Sequence, residues 1–207
     1  MPSKFRLRYL FRPIVNAIAK CMIKVGITPN LATIIMFCFS ILCFITLTIF
    51  GNILVFSILV FITGIMDGCD GAIARITNKS TEFGGFFDSI MDRFSEFFIF
   101  LGLYFYTQDK LLWNLFDMKI IVLISFLASI MISYTRARAE VFLKEDFDFG
   151  LMARSERLFY LVIVSLISFF YDFFNLFLFI FMWLVIGTFL FRITKIYIKM
   201  KRKDNEI

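Results

Sequence analysis

Apolar residues run along this chain of 207 residues in long blocks, not in alternation with polar ones. Six blocks stand out: Leu31–Phe50, Ile53–Ile73, Gly84–Tyr106, Ile120–Phe142, Leu158–Tyr171 and Leu176–Ile198. A helix of about 20 apolar residues crosses a bilayer; the fifth block reaches that length only with its flanking residues. The lack of period-two alternation argues against strands. Ahead of the first block, within Phe5–Val25, Leu7, Leu10, Phe11, Ile14, Val15, Ile18 and Met22 recur at helical spacing between basic residues. That pattern predicts an amphipathic helix lying in the membrane interface. The expected fold is an all-α integral membrane protein with six transmembrane helices behind an N-terminal interfacial helix. It forms one domain: residues 1–28 as interfacial helix and linker, 29–200 as a six-helix bundle and 201–207 as a basic tail.

Composition agrees, since a soluble domain of this size has too little interior for 60% hydrophobic residues. Basic residues sit in alternate connections: Lys4 to Lys24, Arg75 and Lys79, Arg136 to Arg157, and Lys199 to Lys203. Only Lys110 and Lys119 fall on the other side. The positive-inside rule then predicts a multi-pass protein of the cell membrane with both termini cytoplasmic. The net charge of +6 reads as orientation and attraction to anionic headgroups, not as nucleic-acid binding. No cleavable signal is expected, because the leader before the first block is long and basic. The four cysteines form no C-x-x-C pair and predict no disulfide framework. Histidine is absent, so acid–base and metal chemistry fall to carboxylates.

Those carboxylates interrupt the apolar pattern between Met66 and Glu96. On helices, Asp67 and Asp70 (i, i+3) share one face, as do Asp88 and Asp92 (i, i+4). A short polar turn, Thr77 to Thr81, joins the two segments and folds them antiparallel, which can bring the pairs face to face. Converging carboxylates repel unless a cation sits among them, and oxygen-only ligands select a hard ion, Mg²⁺ or Mn²⁺. Gly68 and Gly71 strip side chains from the same face, and Arg75 offers a planar fork for phosphate oxygens. Metal, arginine and a bare backbone suit a diphosphate-bearing substrate. A cation transporter is the competing reading, but transporters place polar groups at the midplane of broken helices. Here the acids cluster beside a basic cytoplasmic loop, which favours an enzyme.

The run Asp67-x-x-Asp70-Gly71-x-x-Ala74-Arg75, eight residues, then Gly84-x-x-x-Asp88-x-x-x-Asp92 resembles, without departure, the signature of the CDP-alcohol phosphatidyltransferases. The resemblance implies a six-helix membrane fold, a homodimer, and displacement on a CDP-linked lipid (CDP-diacylglycerol or CDP-archaeol): an alcohol attacks the β-phosphorus and CMP leaves. It implies that Asp67, Asp70 and Asp88 hold metal, with Asp92 near it and acting as general base. Gly71, Arg75 and Thr81 would contact the CDP portion, and Asn30, Leu31, Ala32 and Thr33 of "TPNLAT" would help bind the nucleotide lipid. The chain length leaves no room for a cytidylyltransferase domain, so the CDP-lipid is expected from another protein.

A second basic cluster bears on the acceptor. Arg136, Arg154, Arg157, Arg192 and Lys195 lie near cytoplasmic ends of apolar blocks and could converge on the mouth that holds the acids. Arg138 and Lys144 are equally explained by orientation, or by pairing with Glu140 or Glu145. A pocket of arginines suits an alcohol that itself carries phosphate. The pattern "SYTRARAE" followed by "RSER" resembles the members of the family that use inositol phosphate. The expected acceptor is 1L-myo-inositol 1-phosphate, with sn-glycerol 3-phosphate as the alternative.

Overall fold

The computed structural model describes residues 7–143 and 150–204. Phe5, Lys144 and Glu145, and with the last two their expected pairing, lie outside the described residues. Among the described residues the fold is all-helical apart from one two-residue ladder. In chain order the elements are α1 (Leu7–Leu10), α2 (Arg12–Lys24), α3 (Pro29–Phe50), α4 (Ile53–Ile76) and α5 (Glu82–Tyr106). There follow β1 (Leu111–Leu112), β2 (Phe116–Asp117), α6 (Met118–Leu143), α7 (Arg154–Phe170) and α8 (Phe174–Asp204).

The helix boundaries have local causes. Thr28 caps α3, its Oγ1 accepting the Leu31 N–H at 3.4 Å, and Pro29 at the first turn donates no N–H that would need a partner. Gly51 ends α3 in the left-handed region (φ 59°), and Asn52 at once caps α4 by accepting the Val55 N–H at 3.0 Å. So tight a connection makes α3 and α4 antiparallel neighbours. Thr81 caps α5 in the same way, its Oγ1 accepting the Gly84 N–H at 3.0 Å. The expected single helix over Phe5–Val25 is instead broken between α1 and α2, where Pro13 in the first turn of α2 interrupts the hydrogen-bond ladder. Helix α8 runs on through residues 201–204, the start of the basic tail. A minor exception to the absence of strands is the antiparallel pairing of Leu111 with Asp117 and Leu112 with Phe116 in the α5–α6 connection.

Helix α3 packs against both α4 and α5, α4 against α2 and α7, and α6 against α8. The larger core joins Phe56 and Val60 of α4, Ile99, Phe100 and Leu103 of α5, and Leu161, Phe181 and Val185 of α7 and α8. A smaller one seats α2 on α3 and α4 through Ala19, Met22, Met36, Met66 and Cys69. Two glycines permit these approaches: a Cβ on Gly102 would stand 3.1 Å from the Phe44 Cα, and one on Gly68 3.1 Å from a Val15 methyl. Many large apolar side chains point outward, Ile49, Phe50, Leu127 and Phe170 among them. Among the described residues, α3, α4, α6 and α8 are the four helices long and apolar enough to cross a membrane, as fits a multi-pass membrane protein. Helix α5 carries Asp88, Asp92, Arg93 and Glu96, and α7 has only 17 residues.

Candidate active site

The acids are delivered by α4 and α5, with α3 as the wall on which both lean. One carboxylate oxygen from each of Asp67, Asp88 and Asp92 lies within 4.8 Å of the others. Asp70 is buried and turned toward α3, where the Thr33 hydroxyl donates to its Oδ2 at 2.7 Å. The buried Asp88 Oδ1 has no hydrogen-bond partner among the described residues. Clustered hard oxygens, one of them an unused acceptor, fit a divalent cation.

Arg154, the first residue of α7, reaches into this cluster. Its Nη1 donates to Asp67 and, at 2.5 Å, to Asp92, while its Nη2 donates to the Asp92 main-chain oxygen at 3.3 Å. The guanidinium thus bridges the two acid-bearing helices from a third. Its positive charge thereby stands against two of the clustered carboxylates.

Two hollows meet here. The larger, of about 700 Å³, changes character along α4 from Val60 and Phe61 to Asp67, Asp70, Gly71 and Arg75. It changes in the opposite sense along α7, from Arg154 and Ser155 to Leu158, Phe159 and Val162, with Phe11 and Val15 of the N-terminal segment closing it. One hollow therefore offers a charged compartment and an apolar one. A Cβ on Gly71 would stand 3.1 Å from the Arg75 Nη1, so the guanidinium lies close against bare backbone. The smaller recess, of about 150 Å³, shares Asp92, Arg136, Ala153 and Arg154 with the larger and adds Arg93, Glu96, Arg157 and Arg192.

The structure sorts the residues expected from sequence. Asp67, Asp70, Asp88, Asp92, Gly71 and Arg75 line the larger hollow. Asn30, Leu31, Ala32, Thr33 and Thr81 do not: Thr33 holds Asp70, Thr81 caps α5, Ala32 is buried, and Asn30 and Leu31 are exposed. Arg136, Arg154, Arg157 and Arg192 meet in the smaller recess. Lys195 is not brought to it; its ammonium lies 5.6 Å from the Phe191 ring centre on an exposed face. Arg136, not Arg138, pairs with Glu140, at 2.7 Å, and Arg138 lies over Phe142. Sequence reasoning missed Arg93 and Glu96. Glu96 is almost fully buried and receives two bonds from Arg157, from Nε at 2.7 Å and from Nη2 at 2.9 Å. A carboxylate inside an apolar helix one turn beyond Asp92 was the available signal, since such a charge needs a partner.

Residues 26–194 match the family model described as CDP-alcohol phosphatidyltransferase. The chain belongs to that family. As a CDP-alcohol phosphatidyltransferase it is a transferase of phospholipid biosynthesis. It is 32% identical over 154 residues to the archaetidylinositol phosphate synthase of Pyrococcus horikoshii, covering 74% of this chain and 77% of the other. It is 34% identical over 159 residues to the phosphatidylinositol phosphate synthase of Mycobacterium tuberculosis, covering 74% and 70%. The fold superposes on the crystal structure of the M. tuberculosis enzyme with CDP-DAG bound at a TM-score of 0.77 and 27% identity, covering 89% of this chain and 94% of that one. A structure of that enzyme with manganese and citrate gives the same score at 26% identity, covering 88% of each chain.

Proposed function

We propose that this phosphatidyltransferase moves the lipid phosphate of a CDP-linked lipid onto inositol phosphate, releasing CMP. The observation that carries the reading is that Asp92 and Arg154 form the shared wall between an acid-lined hollow and an arginine-lined recess. Relatives named for inositol phosphate chemistry support it. In this reading Asp67, Asp70, Asp88 and Asp92 hold a divalent ion, Mg²⁺ or Mn²⁺, that supplies Lewis-acid stabilisation of charge on the diphosphate. Gly71 and Arg75 seat the CDP group, and the apolar stretch along Val60, Phe61, Phe159 and Val162 takes the lipid tails. Asp92 accepts the proton of the attacking hydroxyl, whose oxygen bonds to the β-phosphorus as the bond to CMP breaks. With no histidine in the chain, a carboxylate is the base at hand. Arg136, Arg154 and Arg192 neutralise the acceptor's phosphate, and the work is mostly positional and electrostatic.

The membrane frame is part of the same reading. Helices α5 and α7 complete six crossings beside α3, α4, α6 and α8, and α2 lies along the interface with Val15, Ala19 and Met22 turned to the bundle. Asp88, Asp92 and Glu96 keep α5 from looking like a span, yet each lines a hollow inside the bundle. The distribution of lysine and arginine supports a cytoplasmic site and cytoplasmic termini. Membership of a transferase family sets aside the cation transporter.

The test is CMP release by purified protein given Mg²⁺, CDP-diacylglycerol and a panel of inositol 1-phosphate, glycerol 3-phosphate, free inositol and serine. Turnover with inositol 1-phosphate is expected. Turnover confined to serine or free inositol would refute the phosphate pocket, and turnover confined to glycerol 3-phosphate would keep the pocket but change the acceptor.

A further inference from the structure

Helix α7 begins without a cap. Ala153 at the N-cap position has no side chain able to accept from the first turn, and Arg154, which must reach Asp67 and Asp92, is the first helical residue. Something else must hold this helix start in place. One turn on, Arg157 folds back so that Nη1 donates to the Met152 main-chain oxygen at 3.0 Å, while Nε and Nη2 close on the two oxygens of Glu96. The side chains of Arg157 and Glu96 are 1% and 2% exposed, so the pair is dry as well as bidentate. Two rungs then join the same two helices a turn apart, Arg154 on Asp92 and Arg157 on Glu96. A second anchor sits just upstream: Gly150, at φ +115°, lies against Thr188 of α8, leaving no room for a Cβ.

We infer that Glu96 is a positioning residue of the acceptor pocket, acting through Arg157 to fix where Arg154 stands. The inference rests on the acceptor-phosphate reading given above. It gives Arg157 a part of its own: with Nε and Nη2 on Glu96 and Nη1 on the Met152 main-chain oxygen, it organises the recess from within. Glu96 lines the smaller recess and not the larger, so its influence falls first on the acceptor, and only through Arg154, which lines both, on the CDP-lipid. Its charge is cancelled by Arg157, which keeps a carboxylate in the recess from repelling an incoming phosphate.

The test uses the full-length enzyme with CDP-diacylglycerol and whichever phosphorylated alcohol the wild type turns over. If the wild type turns over none, the acceptor reading itself fails, and it fails separately from the claim about Glu96. Glu96→Gln is expected to raise the KM for the phosphorylated alcohol about tenfold to a hundredfold, as misplacement of a binding group does, with a smaller rise in the KM for CDP-lipid. Glu96→Asp should recover part of the loss. If Arg157 instead bound the phosphate directly, Glu96→Gln would free it and lower that KM. If the pair served stability alone, Tm would fall while both KM values held. Should Glu96→Gln not fold, Glu96→Asp, which keeps the charge but shortens the reach to Arg157, is measured in its place. A raised acceptor KM in that folded variant supports positioning, and a wild-type or lowered value overturns it.

Discussion

Thr33 and Asp70 offer a direct experiment on the proposed metal site, of which Asp70 would be one ligand. Thr33→Val keeps the shape of the side chain and deletes the hydroxyl that donates to Asp70 Oδ2 at 2.7 Å. Both residues are buried, so no water replaces the lost donor cheaply. A hydrogen bond to a charged acceptor contributes about 1.5–3 kcal/mol, roughly a factor of 10 to 150 in an equilibrium constant. Groups that orient a metal ligand tune affinity by about 10- to 100-fold, which overlaps that range. The Mg²⁺ concentration for half-maximal CMP release should therefore rise by about tenfold to a hundredfold in Thr33→Val. At saturating Mg²⁺ the KM for CDP-lipid should be little changed, because Thr33 lies outside the lining of the larger hollow. The assay is CMP release across a Mg²⁺ titration, repeated with CDP-lipid varied at saturating metal. An unmoved Mg²⁺ requirement beside a higher KM for CDP-lipid would refute this reasoning and return Thr33 to the nucleotide.

Further variants probe the neighbouring parts. Asp92→Asn should lower CMP release by at least about a hundredfold while the purified protein keeps its wild-type elution profile, since removing a general base costs 10²–10⁴ in rate. A variant that stays active places the base elsewhere. Arg192→Ala should raise the KM for the phosphorylated alcohol more than that for CDP-lipid; equal losses would mark Arg192, which also donates to the Ile132 main-chain oxygen at 2.7 Å, as structural. Gly102→Leu should lower the thermal midpoint by several degrees, because a Cβ there already stands 3.1 Å from the Phe44 Cα and backbone cannot swing aside. An unchanged midpoint would show that α3 and α5 can separate without loss.

Much of the architecture could be read from period and punctuation. The blocks read as Leu31–Phe50 and Ile53–Ile73 became α3 (Pro29–Phe50) and α4 (Ile53–Ile76), because apolar length and caps at Thr28 and Asn52 are local properties. The acid pairs were legible for the same reason: i, i+3 and i, i+4 spacing fixes a shared face. What could not be read was which way a long side chain turns. Arg154 and Arg157 look alike in sequence, three residues apart, yet one enters the acidic cluster and the other closes on Glu96. That choice depends on carboxylates of α5 some sixty residues away in the chain, and orientation at a helix end says nothing of it. The resemblance puts Thr33 of "TPNLAT" beside the nucleotide lipid; its hydroxyl's bond to Asp70 of α4, which spacing alone does not reveal, is what the structure adds.

The two-natured hollow between α2, α4 and α7 has a kinetic corollary. A donor whose tails remain among Phe61, Phe159 and Val162 while its head meets Asp67 and Arg75 has no need to pass through bulk water. Neither does the product, which keeps those same tails. The governing concentration is then the mole fraction of donor in the membrane plane, a two-dimensional quantity, while the water-soluble acceptor and CMP answer to molarity. Diluting CDP-lipid with inert detergent at constant bulk concentration should slow turnover as if substrate had been withdrawn, and adding more micelles of the same composition should leave the rate per enzyme unchanged.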